Sequence, residues 1–164
     1  MRGLTTLFAL SLAMVSVPVA AKESLGIYDS WGAFRDQEIP RCYAIAESED
    51  ITGKAQRKSY ISVGYWPKRG IRAQFHVRLS RDRSTNSRVM VGVGGRRFQL
   101  IANRSDGWSQ DRRMDAAIIA ALRSANSMTV ESTGRDGRPI VDAYLLRGAA
   151  TAIDAASIGC SNLD

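Results

Sequence analysis

The chain has 164 residues, of which 45% are hydrophobic and 24% are charged. This composition is typical of a globular protein and excludes an intrinsically disordered chain. Lys and Arg number 23 against 16 Asp and Glu, so the formal net charge is +7. Acidic residues interrupt the positive charge along the chain, which indicates a solvated basic surface; the sharper alternative is attraction to anionic material of a cell envelope.

Residues 1–21 have the pattern of a cleavable secretory signal peptide. A basic start at Arg2 precedes an uncharged run over 4–17, and the small residues Val19-Ala20-Ala21 follow. The run of about 14 residues is shorter than the roughly 20 that a membrane span needs. We therefore predict cleavage between Ala21 and Lys22.

The predicted mature chain covers residues 22–164. Removing 21 of the 164 residues leaves 143, a length that suits a single domain with its own core. The signal holds one basic residue and no acidic one, so the mature net charge is +6. Export argues against nucleic acid as a partner, and no later stretch is apolar enough to span a bilayer. We expect the protein in the periplasm or secreted.

Apolar and polar residues alternate in eight segments, as they do in strands with one buried face. In the segment 73–80, Phe75 and Val77 share one face, and His76 lies on the opposite, solvated face with no evident partner. Turn residues such as Pro67-Lys68-Arg69-Gly70 separate the segments. The predicted strands span residues 31–35, 42–46, 60–66, 73–80, 89–93, 96–102, 128–133 and 140–146.

For one hairpin the sequence also predicts which residues pair across the strands. Gly94-Gly95 separates two alternating segments and suits a two-residue turn with positive φ. This turn sets Val91 opposite Phe98 and Val89 opposite Leu100, so apolar residues meet on one face.

The period becomes helical over residues 111–125, where apolar side chains form one stripe. Ser109 or Asp111 can cap the first turn of this helix. The Ala-rich segment 149–158 predicts a short terminal helix that Gly159 ends as its C-cap. The predicted fold is mainly β: an antiparallel β-sandwich or barrel-like sheet of about eight strands, with one amphipathic helix and a short C-terminal helix.

No constellation of residues points to catalysis. His76 is the only histidine, and nothing in the spacing places a serine and a carboxylate beside it. The glycines of Gly92-Val93-Gly94-Gly95 lie between two strands, whereas a phosphate loop needs them between a strand and a helix. We therefore predict no catalytic residue, no cofactor and no metal site.

A pair of acidic residues is the exception that needs an explanation. If Asp136-Gly137 is a two-residue turn, Glu131 lies directly opposite Asp142, and like charges there destabilise a sheet. Three explanations remain open: a register one residue different, relief by a nearby Arg such as Arg138, or a site that binds a cation or acts as a catalytic dyad.

Cys42 and Cys160 are the only cysteines, and both remain after removal of the signal. Export places them in an oxidising compartment, where paired thiols form disulfides. We predict a Cys42–Cys160 disulfide that joins the terminal helix to the start of the sheet. Two free thiols, or pairing with another chain, are the alternatives.

Four segments in chain order resemble one family. After the signal come a strand with Trp31-Gly32-Ala33-Phe34 and the sequence Arg41-Cys42-Tyr43. A helix over 115–122 (DAAIIAAL) and the end 144–152 (YLLRGAATA) follow. This order resembles the invasion associated locus B family of alphaproteobacterial envelope proteins. The chain would be a divergent member, because it lacks an early cysteine and a central cysteine pair. The resemblance implies a periplasmic or outer-envelope protein and no known reaction.

Two functions follow as hypotheses. The first is a non-enzymatic envelope protein, a binding or interaction module, whose partner is an envelope or host component such as anionic lipid or polysaccharide. The second is a small periplasmic hydrolase with an acidic or His-centred site. A deep pocket holding His76, or Glu131 with Asp142, would favour the hydrolase; a flat basic or aromatic patch would favour the binding module.

Overall fold

The computed structural model describes residues 22–49 and 57–161. The predicted signal peptide, with Ala21 at its cleavage site, lies outside these residues. The described part contains ten strands and two helices: β1 (Glu23–Tyr28), β2 (Trp31–Asp36), β3 (Arg41–Glu47), β4 (Tyr60–Trp66), β5 (Ile71–Arg78), β6 (Val89–Val93), β7 (Arg96–Ala102), β8 (Asp106–Trp108), α1 (Arg112–Leu122), β9 (Ser127–Thr133), β10 (Pro139–Leu145) and α2 (Ala149–Gly159).

The ten strands form one antiparallel sheet in the order β1-β2-β3-β4-β5-β8-β7-β6-β9-β10. The mainly β prediction with two helices is confirmed, and all eight predicted strands are present within two residues of their predicted bounds. The sequence did not predict β1 or β8. In β1 half-buried and exposed residues do not alternate cleanly, and the three residues of β8 are too few to show a period.

The first half of the sheet comprises β1–β5 and β8, and the second half comprises β6, β7, β9 and β10. The inner faces of both halves pack into one hydrophobic core. The last strand returns to the first half, where the amide of Glu49 donates to the carbonyl of Ala143 over 2.8 Å. Trp31, the largest side chain that is fully buried, donates from Nε1 to the carbonyl of Leu145 over 3.0 Å. Helix α2 packs on β1, β2 and β3, and α1 packs on β5.

The predicted hairpin between β6 and β7 is confirmed. Val91 pairs with Phe98 and Val89 pairs with Leu100. The turn residues have φ values of 56° at Gly94 and 74° at Gly95, a conformation that residues with a Cβ rarely adopt.

Helix α1 begins after Asp111, whose carboxylate accepts a hydrogen bond from the amide of Met114 over 2.8 Å. Of the two predicted candidates, Ser109 and Asp111, Asp111 is therefore the N-cap. Helix α2 corrects one prediction, because Gly159 is its last residue and Cys160 is the C-cap. A Cβ on Gly159 would lie 2.4 Å from Leu25 Cδ1, so this glycine permits close packing of β1 on the helix.

The register of β9 and β10 resolves the acidic pair. Glu131 pairs with Val141, and Asp142 pairs with Val130, so the two carboxylates lie on opposite faces of the sheet. The predicted two-residue turn was wrong: the connection runs from Gly134 to Arg138, with the amide of Gly134 donating to the carbonyl of Arg138 over 2.8 Å. The odd number of residues in the connection shifts the register by one.

Cys42 and Cys160 lie at disulfide distance, as predicted. Their sulfur atoms are 2.11 Å apart, their Cα atoms are 5.6 Å apart, and 118 positions separate them in the sequence. The bond joins the inner face of β3 to the end of α2. In the chain-entropy account, closing so long a loop stabilises the fold by about 4–5 kcal/mol at most.

Candidate ligand-binding groove

The outer face of β3, β4, β5 and β8 forms an open groove of about 440 Å³. Strand alternation creates it, because residues on either side of each groove residue point into the core. On β3, for example, Cys42 and Ala44 are buried, whereas Tyr43 and Ile45 line the groove. The volume falls within the roughly 300–1,000 Å³ that is typical of small-ligand sites.

Two rows of cross-strand partners form the floor. In the first row Tyr43 pairs with Gly64, and Gly64 pairs with Gln74. The second row runs from Ile45 through Ser62 and His76 to Trp108. Because such partners have Cβ atoms about 4.5–5.5 Å apart, the register brings side chains from four strands into contact range.

Gly64 gives Trp66 the space to lie on the sheet. A Cβ on Gly64 would lie 2.4 Å from Trp66 Cη2 and 2.5 Å from Cζ3, so the six-membered ring rests directly over this glycine. Phe34 rests over Gly32 in the same way, with Cε2 at 2.6 Å from the position of a Cβ. The outer face of this half of the sheet therefore carries aromatic rings laid along its surface.

His76 has partners that the sequence did not indicate. Its Nε2 lies 3.1 Å from Asp106 Oδ1, and only 17% of its side chain is exposed. Its ring centroid is 5.7 Å from that of Tyr60 and 5.2 Å from that of Trp108. The expectation of a solvated histidine without a partner was wrong, because β8, which supplies both Asp106 and Trp108, was not predicted as a strand.

Burial lowers the pKa of His76, against the opposing effect of the Asp106 carboxylate. The imidazole is therefore neutral at pH 7. A neutral ring that donates from Nε2 to Asp106 leaves Nδ1 as an acceptor. Asp106 also accepts hydrogen bonds from Arg78 over 3.4 Å and from Ser105 over 3.0 Å.

Positive charge borders the groove where β3 begins. The guanidinium carbon of Arg41 lies 5.1 Å from the centroid of the Tyr43 ring, and its Nη2 is 3.3 Å from Asp36 Oδ2. A backbone hydrogen bond from Ile39 and the charges of Arg41 and Lys22 lower the pKa of Asp36, which keeps this carboxylate ionised. Lys22 itself lines the groove.

The groove holds polar groups that bind nothing within the described part of the chain. No side-chain hydrogen bond to a described residue is made by Ser62 or Gln74, by the hydroxyls of Tyr43 and Tyr60, or by the indole N–H groups of Trp66 and Trp108. Trp31, the third tryptophan, is buried and has its N–H paired. The groove thus combines apolar ring faces with uncommitted donors and acceptors.

The backbone beside the groove is irregular. The pairing of β4 with β5 shifts between Gly64 and Trp66, and Ala73 has a φ of 59°. A residue with a Cβ in the left-handed region costs roughly 1–2 kcal/mol. The part of β5 that follows Ala73 is held in place by Asp115 of α1, whose carboxylate accepts from the amide of Phe75 over 2.8 Å.

A hydrogen-bonded Ser–His–Asp arrangement does not form around His76 in the described part of the chain. Ser62 is its cross-strand partner, but no hydrogen bond joins the Ser62 hydroxyl to the imidazole among the described residues. Asp142 is buried in the core, where desolvation raises the pKa of its carboxyl, and it accepts from the amide of Ser80 over 3.0 Å. Glu131 is on the other face, paired with Arg97 at 2.9 Å.

The described ranges offer neither a cluster of metal-ligating side chains nor a helix that could cross a membrane. Across 22–49 and 57–161, no group of three or more His, Cys, Asp or Glu side chains is placed to hold a metal ion. In the same ranges, no helix is long and apolar enough to cross a membrane.

The fold and the groove together define a mainly β, disulfide-linked domain with an aromatic groove on one sheet face. Comparison with known proteins adds no closer classification: no family model matches the chain, and no curated protein or solved structure matches it significantly. The resemblance to the invasion associated locus B family therefore stays a prediction. The disulfide is compatible with a protein outside the cytoplasm.

Proposed function

We propose that this chain is an exported, non-enzymatic binding module of the cell envelope, periplasmic or secreted, and that it holds its ligand in the groove. The observation that carries the proposal is the cluster of half-buried aromatic side chains with unused polar groups on one outer face of the sheet. These polar groups make no hydrogen bond to a described residue, so they are available to a ligand that supplies hydrogen bonds in place of water. The family resemblance and the basic charge support the same proposal.

The test compares a groove variant with a matched surface variant. Trp108→Ala removes a ring from the groove. Ile158→Ala removes an apolar side chain that is 71% exposed on α2, a helix that packs on the inner side of the sheet. The disulfide-intact protein is titrated with four probes: neutral glucan, galacturonate oligomers, lipopolysaccharide micelles and phosphatidylglycerol vesicles.

We expect saturable binding to at least one probe, weakened about tenfold by Trp108→Ala and unchanged by Ile158→Ala. Loss of an aromatic anchor worth about 1.4 kcal/mol gives a factor of this size. Absence of binding to all four probes, or binding that Trp108→Ala leaves unchanged, contradicts the proposal.

A hydrolase centred on His76 is the second candidate, because the imidazole lies 3.1 Å from Asp106 and across from Ser62. The orientation argues against it, since Nε2 faces the carboxylate and the serine hydroxyl is not hydrogen-bonded to the ring. We expect no ester hydrolysis above background with p-nitrophenyl acetate. Turnover that disappears in both Ser62→Ala and His76→Gln, with the fold intact, would establish the hydrolase instead.

A further inference from the structure

The groove has a chemical asymmetry that narrows the class of ligand. Its floor is aromatic, its edges carry unused hydrogen-bonding groups, and one end is cationic. No acidic side chain lines it among the described residues. From these features we infer that the groove binds an acidic glycan, with sugar rings on the aromatic floor and a carboxylate at Arg41 and Lys22. This inference rests on the proposed function.

The ring faces suit a saccharide. Trp66 has one face against Gly64 and lines the groove, so its other face is available to a ligand. Pyranose rings present flat C–H faces, which pack on aromatic rings, and a rim of hydroxyls, which need hydrogen-bond partners. Tyr43 and Trp108 extend the aromatic surface from β3 to β8.

The unused polar groups suit the hydroxyl rim. Tyrosine hydroxyls and amide groups both donate and accept, and indole N–H groups donate. Gln74 and Ser62 lie in the middle of the groove, paired with Gly64 and His76 across the strands. A purely apolar ligand such as an acyl chain would leave these groups buried and unpaired, which costs affinity.

The cationic end suits a carboxylate. Arg41 donates from Nη2 to Asp36, and its Nη1 makes no hydrogen bond within the described chain. Guanidinium groups pair with carboxylates through two parallel N–H···O bonds, which gives geometric selectivity as well as affinity. Lys22 adds a second positive charge at the same end.

The concave shape argues against a membrane surface as the ligand. Tyr43, Tyr60 and Trp66 are half-buried in the groove, whereas a flat bilayer contacts side chains that protrude. A short glycan can enter the groove and reach the floor. Attraction of the basic protein to anionic lipid would instead depend on its net charge and decline with salt.

The experiment uses one ligand in two charge states. Galacturonate oligomers and the same oligomers with methyl-esterified carboxylates are titrated into the disulfide-intact protein by calorimetry. We expect the acidic form to bind at least about tenfold more tightly than the ester. Arg41→Gln should remove most of this preference, because the acidic form loses the partner of its carboxylate.

Two further variants make the result specific. Arg147→Gln removes the same charge from a side chain that is 82% exposed and paired with Asp29; we expect it to retain the preference. Lys22→Gln tests the cationic end while keeping the Arg41–Asp36 ion pair, in case Arg41→Gln lowers the melting temperature; we expect a partial loss of the preference.

Equal binding of acid and ester, both lost in Trp108→Ala, would overturn the acidic-glycan inference and leave the proposed function intact. Binding to phosphatidylglycerol vesicles without binding to either oligomer would also overturn it. A preference for the acid that falls equally in Arg41→Gln and Arg147→Gln would show attraction by net charge alone, and would overturn the assignment to the groove.

Discussion

The two halves of the sheet expose different outer faces, although both cover the same core. The first half presents the groove, with half-buried aromatic rings and polar groups that have no partner among the described residues. On the outer face of the second half, Glu131 pairs with Arg97 and accepts from Thr129 over 3.1 Å. That face also exposes the single apolar side chains Ile101, Val141 and Leu145. Scattered exposed apolar residues are common on solvated surfaces, so the groove on the first face is the feature that needs a functional explanation.

The first half of the sheet is fixed from behind by a disulfide and a helix. The Cys42–Cys160 bond lies directly behind the groove, since Cys42 sits between Arg41 and Tyr43 on β3. Helix α2 covers β1, β2 and β3 from the inside. A site that binds a ligand with side chains from four strands depends on fixed spacing between those strands, and the disulfide and α2 supply it.

The largest expected effect comes from removing this anchor. Replacing both cysteines, as Cys42→Ser with Cys160→Ser, should lower the free energy of unfolding by roughly 2–5 kcal/mol. Urea denaturation monitored by tryptophan fluorescence measures it. An unfolding midpoint equal to that of the oxidised protein would contradict the role given to this bond.

The next effect separates the two outer faces directly. Gly64→Ala puts a Cβ at 2.4 Å from Trp66 Cη2, so the ring must leave its position. We expect a loss of about 1–2 kcal/mol, a changed tryptophan emission and weaker ligand binding. The matched variant Gly92→Ala meets only Thr129 Oγ1 at 3.2 Å on the second face and should stay within about 0.5 kcal/mol. Equal effects of the two variants would remove the distinction between the faces.

A smaller effect concerns pH. Because burial lowers the pKa of His76 in the folded protein, the unfolded chain takes up the proton first. The free energy of unfolding should therefore fall as the pH drops below the unfolded value of about 6.5. His76→Gln should flatten the dependence of the free energy of unfolding on pH. Burial raises the pKa of Asp142 in both proteins, so subtracting the two pH profiles removes its contribution. Parallel pH profiles would mean that His76 is not desolvated.

The smallest effect is expected on the second face. Arg97→Gln breaks the ion pair with Glu131. The side chain of Arg97 is 59% exposed and that of Glu131 is 38% exposed. Exposed pairs contribute about 0.2–1 kcal/mol. Thermal unfolding should detect a change in this range, with ligand binding unaltered. A loss of binding in Arg97→Gln would move the site to the second face.

The sequence predicts the fold better than it predicts the site. Period-two alternation is a local property, and it identifies eight of the ten described strands. It misses β1, which is long enough but does not alternate cleanly, and β8, which has only three residues. The Gly94-Gly95 turn fixes its register because the φ values required at both positions are nearly exclusive to glycine. The Asp136-Gly137 region misleads, because Gly134 begins the turn earlier than the dipeptide suggests.

The groove could not be predicted because it depends on pairing between strands distant in sequence. Tyr43 and Trp108 come together only once β3, β4, β5 and β8 are adjacent, and β8 has no pattern of its own. One signal was present: Tyr43, Tyr60 and Trp66 occupy strand positions, and Gly64 lies two residues before Trp66. A glycine in a strand leaves open space over the backbone, which the ring of an aromatic residue two positions away on the same face can occupy.

The most direct test of the account observes the three tryptophans separately. Their indole N–H groups give three signals in a ¹H–¹⁵N spectrum, assigned with Trp→Phe variants, and galacturonate oligomers are added stepwise. We expect saturable shifts for Trp66 and Trp108, which line the groove. We expect no shift for Trp31, whose N–H donates to the Leu145 carbonyl in the core. Unchanged Trp66 and Trp108 signals, with shifts confined to amides of β6, β7 and β9, would contradict it.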